Sequence, residues 1–146
     1  MKNTFEIAFP MVIGLEGKMT NDPKDPGGFT IWGLASKYNP GLSPNTTLED
    51  AKAIYLNKYW IPSGCNDVGF PMDICMFDGA VNPQNDLSLP STGNQELLNL
   101  NPENWQEFLL MRAARYMRCS QPEFVKGHVF RVLRLYQQIK NLMKGG

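Results

Sequence analysis

The chain has 146 residues, 42% of them hydrophobic and 19% charged, which is enough for one domain with a real core and too apolar for a disordered chain. Fourteen Lys and Arg balance fourteen Asp and Glu, so the formal net charge is zero and bulk electrostatic binding to nucleic acid or to an anionic membrane is disfavoured. The three cysteines, Cys65, Cys75 and Cys119, form no CxxC pair and accompany a single histidine, which argues against a zinc site or a disulfide framework and for reduced cytosolic thiols.

The amino-terminal stretch MKNTFEIAFPMVIGLEG has one lysine, is interrupted by Glu6 and Pro10 and is followed by no cleavage pattern. It reads as neither a signal peptide nor a membrane span. Phe5, Phe9, Val12 and Glu16 fall at i, i+4, i+7 and i+11, one helical stripe, with Pro10 expected to kink the helix or delay its start. Residues 17–30 are rich in Asn, Asp, Pro and Gly and read as an irregular loop or short hairpin. Residues 31–38 read as a short helix, and NPGLSPNT as a second loop.

Thr47 is a good N-cap for LEDAKAIYLNKYW, with Glu49 and Asp50 in the first turn. PMDICMFDGAVN reads as a buried helix. Residues 82–101 are polar and turn-rich, a boundary between two lobes. Asn101, Pro102 and Glu103 are expected to open another helix, with Pro at its first position, carrying Trp105, Phe108, Leu109, Arg112 and Tyr116. A last helix is predicted from about Glu123 to Leu142. The expected fold is mainly α, with a small irregular or β subregion after the first helix.

The chemistry concentrates near Glu16 and in DPGGFTIWG, residues 25–33. A carboxyl on an apolar stripe is partly desolvated, which raises its pKa toward that of a general acid. The alternative is a glutamate that ends a helix and faces water. Asp25 can orient a water, stabilise a cationic transition state or simply cap the turn. Thr30 can hold a water or cap the following segment, and Trp32 can stack on a sugar or pack in the core. Asn21, Asp22 and Asp25 hint at a calcium loop, but the twelfth position is Trp32 or Gly33, where a bidentate glutamate is needed. No metal is therefore expected. His128 has no accompanying nucleophile pattern and reads as a packing or capping residue. Arg112, Arg115, Arg118, Arg131 and Arg134 recur at helical spacing and read as a solvated face, or as a contact for an acidic polymer.

Four separated blocks agree in order and spacing with one family. Glu16–Gly17, TNDPKDPGGFTIWGL at 20–34, AxxIYxxxYW at 51–60 and FDGAVN at 77–82 closely resemble the glycoside hydrolase family 108 lysozymes, N-acetylmuramidases of phages, prophages and bacteria with a lysozyme-like fold. Arg112–Tyr116 and Phe124–Arg131 resemble the family's carboxy-terminal segment, often described as binding peptidoglycan. EGKM departs from the usual EGGY, placing Lys18 and Met19 where a glycine and an aromatic are common.

The resemblance implies cleavage of the β-1,4 bond between N-acetylmuramic acid and N-acetylglucosamine, with Glu16 as the acid. Asp25 and Thr30 sit where the wider phage-lysozyme pattern has its acid and threonine. Trp32, Tyr59, Asp78 and Asn82 become candidates for lining the site, with Asp78 alternatively bracing a buried helix. Residues 1–82 would form the catalytic lobe and 83–146 a carboxy-terminal helical lobe that binds peptidoglycan, together one compact domain. The implied protein needs no cofactor, is a monomer, associates with no membrane or nucleic acid, and waits in the host cytoplasm until a holin releases it to the wall. A lytic transglycosylase on the same bond, or a non-catalytic wall-binding or virion module, are the alternatives.

Overall fold

The computed structural model of the protein describes residues 4–13, 28–82, 94–118, 123 and 125–145. Glu16 and Asp25 lie outside the described residues, as does Cys119. The fold is mostly helical, with one small antiparallel sheet after the first helix.

Helix α1 spans Thr4–Ile13 and buries Phe5, Ala8, Phe9 and Val12, which include the apolar members of the expected stripe, Phe5, Phe9 and Val12. Pro10 lies inside α1 and does not delay its start. It is exposed, so the carbonyl left without a partner one turn earlier can be served by water.

The segment read as a helix over 31–38 is instead a hairpin. Strand β1, Thr30–Ile31, pairs with β2, Leu34–Ala35, in the register Thr30 to Ala35 and Ile31 to Leu34. Trp32 and Gly33 between them both have positive φ, 53° and 76°. Two left-handed residues make the tight turn whose twist suits a hairpin, and no right-handed helix passes through them. Only Ser36–Tyr38 winds into a single 3-10 turn.

Helix α2, Leu48–Tyr55, starts as expected. Thr47 accepts from the Asp50 N–H, and the Asp50 carboxylate accepts from the Thr47 N–H. This reciprocal pair satisfies two donors that a helix start leaves open. The helix continues as a wider π turn over Leu56–Trp60. Helix α3, Met72–Val81, is buried on nearly every side, from Asp73 through Ala80. Phe5, Trp60 and Phe77 meet edge to face around it, with centroids 5.4–5.7 Å apart.

The polar stretch after α3 contains a short helix α4, Asn94–Leu98, which the sequence did not suggest. Asn94 is buried, donates to the Met76 carbonyl at 2.8 Å, and occupies the space where a side chain on Gly79 would stand. That close approach is why FDGAVN carries a glycine in mid-helix. Helix α5, Trp105–Tyr116, begins later than expected. Asn104, not Asn101, is the N-cap: its extended backbone lets the side chain accept from the Glu107 N–H. Helix α6, Val125–Gly145, lays Val132, Leu135 and Ile139 into the same core as α1 and α3. Among the described residues no helix is long and apolar enough to cross a membrane.

Candidate active site

The described ends of three elements converge beside Ile13, where α1 heads toward Glu16. The first is the hairpin turn. The indole Nε1 of Trp32 donates to the Thr46 carbonyl at 2.9 Å, and the buried Tyr55 hydroxyl donates to the Trp32 carbonyl at 2.9 Å. A side chain at Gly33 would meet the Tyr55 oxygen at 2.8 Å and Ile13 Cγ2 at 3.9 Å. So the turn rests on Tyr55 and on the end of α1, and its left-handed backbone is fixed by two side-chain bonds.

Thr30 is half-buried in β1, and its hydroxyl has no partner among the described residues. Tyr59 sits in the π turn, half-buried, with its ring 5.4 Å from that of Tyr55. Burial raises the hydroxyls of Tyr55 and Tyr59 above the ordinary phenol value. Arg131 opposes that shift at Tyr55.

The second and third elements are α3 and α6, joined by charge. Asp78 is 2% exposed, and each of its carboxylate oxygens takes an arginine. Arg112 Nη2 donates to Oδ2 at 2.8 Å, and Arg131 Nε donates to Oδ1 at 3.0 Å. Arg131 Nη2 also donates to the Val12 carbonyl, at the end of α1 where intrahelical donors run out. Arg112 further donates to the Tyr116 hydroxyl at 2.7 Å, and that hydroxyl donates to the Asn82 carbonyl. The Asn82 amide returns to the Asp78 carbonyl at 3.1 Å. Burial alone would lower the Arg112 pKa, but Asp78 and Tyr116 beside it hold it above its ordinary value. Burial raises Tyr116, with Arg112 opposing. His128 stacks flat on Tyr116, centroids 4.6 Å apart.

The structure therefore sorts the predicted residues into two groups on either side of Ile13. Thr30, Trp32 and Tyr59 belong to the hairpin side. Asp78 and Asn82 belong to a buried ionic network, and the geometry of Asp78 matches the bracing alternative: its oxygens hold two arginines together. Arg112 is wholly buried, which corrects its reading as part of a solvated face. Its signal was available, since an aspartate inside an otherwise apolar helix needs a cation from elsewhere. Cys65 and Cys75 are buried free thiols, each pushed up to about 12 by burial. Among the described residues no group of His, Cys, Asp or Glu could hold a metal ion.

Between α1 and α6 lies a cleft of about 170 Å³ whose walls include Val12, Ile13, Asp78, Arg131 and Arg134. Residues 9–83 match a family model of glycoside-cleaving enzymes. The family is glycosyl hydrolase 108, the match covers just over half of the chain, and the chain belongs to it. The matched span holds Glu16, Asp25, Thr30, Trp32, Tyr59, Asp78 and Asn82, while Arg112, Tyr116 and Arg131 lie beyond it. No curated protein and no solved structure matches the chain.

Proposed function

We propose that this glycoside hydrolase is an N-acetylmuramidase, cleaving the β-1,4 bond between N-acetylmuramic acid and N-acetylglucosamine in peptidoglycan. The observation that carries the reading is the seating of the hairpin turn against Ile13. Glu16 follows three residues later in the chain, and three residues span at most about 11 Å, which supports a site shared with the hairpin's Thr30 and Trp32. Glu16 protonates the leaving oxygen. Asp25 and Thr30 position water or stabilise positive charge at the anomeric carbon, as the second group of a glycosidase does. The Thr30 hydroxyl, without a partner among the described residues, suits that task. Trp32 and Tyr59 offer ring faces to the glycan, while Asp78 and Asn82 hold the floor from beneath. The carboxy-terminal helices contribute wall contacts. The biological role is that of a phage or prophage endolysin, held in the host cytoplasm as a monomer until a holin opens the way.

The test is clearing of purified peptidoglycan by wild type and by Glu16→Gln, both shown to be folded by circular dichroism. Wild type should clear, and the variant should lose about 10²–10⁴-fold in rate. Mass spectrometry of the products should show reducing-end muramic acid. A 1,6-anhydro product would make the protein a lytic transglycosylase, and pelleting with walls without clearing would make it a binding module.

A further inference from the structure

The cleft between α1 and α6 contains a cation that the ionic network does not use. Asp78 is already shared by Arg112 and Arg131. Arg134, one turn further along α6, also lines the cleft but has no carboxylate or hydrogen-bond partner among the described residues. Gln138 follows on the same face of α6, half-buried and equally without a partner among them. Opposite, on α1, stands an apolar wall from Pro10, Met11 and Ile13. The cleft thus offers a guanidinium and an amide on one side and methyl-sized contacts on the other.

The geometry points to a subsite for the peptide stem of peptidoglycan, in which Arg134 and Gln138 hold a stem carboxylate while Pro10, Met11 and Ile13 meet the methyl groups beside it. A planar guanidinium pairs with a carboxylate through two parallel hydrogen bonds, and the amide adds a further donor. The stem's first links carry one methyl on the lactyl ether and one on alanine, followed by a glutamyl carboxylate. A free phosphate has no use for the apolar wall. Position agrees as well. Glu16 is the third residue after Ile13, and three residues reach at most about 11 Å. The stem leaves the muramic acid on one side of the bond that Glu16 would cleave, so its first residues fall within that reach.

This inference rests on the muramidase reading, and binding separates the two. The Glu16→Gln protein is titrated calorimetrically with two muramyl tripeptides, one with the glutamyl α-carboxylate free and one with it amidated. The free acid should bind about tenfold tighter, the scale of one charge-assisted hydrogen-bond pair, and Arg134→Gln in the same background should abolish that preference. Arg134 is exposed, so its replacement leaves the fold intact, which an unchanged melting curve confirms. Equal binding of the two tripeptides overturns the subsite, and so does a preference that survives Arg134→Gln. Inorganic phosphate displacing the tripeptide at equal concentration would mark a general anion site and also overturn it. Failure of wild type to clear peptidoglycan, with the charge preference intact, would sink the muramidase reading and leave the subsite standing.

Discussion

The hairpin and the ionic network flank the same end of α1 and are held by opposite means. The network is buried and charged, and each Asp78 oxygen has a guanidinium partner. The hairpin has strands of only two residues and stands on two side-chain bonds to its turn, from Trp32 to Thr46 and from Tyr55 to Trp32. The network joins helices that lie far apart in the chain, and its removal should cost the whole fold. The hairpin leaves Thr30 and Trp32 half-exposed, and its loosening should cost the site first. Rigidity is thus placed in the buried network and adjustability in the half-exposed hairpin.

The largest expected effect comes from breaking the network. Asp78→Ala leaves the fully buried Arg112 guanidinium without its counter-charge, a loss on the order of 3–5 kcal/mol in urea unfolding. If burial of an uncompensated charge is the cause, adding Arg112→Met to Asp78→Leu should recover most of that loss. A double variant no more stable than Asp78→Ala would show that the pair does more than cancel itself.

A smaller effect is expected at the hairpin. Tyr55→Phe keeps the ring packed against Phe9 and removes only the donor to the Trp32 carbonyl. Unfolding should cost about 1 kcal/mol, the net worth of one hydrogen bond. The clearing rate should fall further than that stability loss accounts for, because the strained turn loses a brace. An unchanged rate at reduced stability would take the hairpin out of the site.

The two regions also differ in how much of them was legible in the sequence. The α1 stripe and the Thr47 cap follow from local rules, periodicity and side-chain reach, and both stand in the structure. The hairpin turn was missed because the usual signal for two left-handed residues is Asn–Gly, whereas here a tryptophan takes the first position, held from outside by Thr46 and Tyr55. Helix α4 was missed because its reason lies at Gly79, 15 residues earlier than Asn94. For the network the sequence shows that Asp78 needs a cation but not which one: Asp78 finds Arg112 and Arg131 across 34 and 53 residues, and no local pattern encodes such a pairing. Glu16 and Asp25 lie outside the described residues, and both fall within the span that matches the glycosyl hydrolase 108 family.

The smallest effect concerns pH and sits where the network meets the surface. His128 stacks on Tyr116, and burial first, then Arg131 and Arg112, lower its pKa below the ordinary value. A lowered histidine is protonated more readily in the unfolded chain than in the folded one. Its contribution is therefore complete above the unfolded value of about 6.5 and is lost as pH falls through the folded one. Asp73 works in the opposite direction: burial raises its carboxyl, so protonation on acidification favours the folded state. Stability measured by urea unfolding should decline from about pH 7 to pH 5, where histidine titrates. His128→Phe retains an aromatic partner for Tyr116 and removes the titration, so the decline should flatten or reverse as Asp73 takes over. A decline of the same slope in the variant would place its source outside the stacked pair, and the network would then have no pH-sensitive edge.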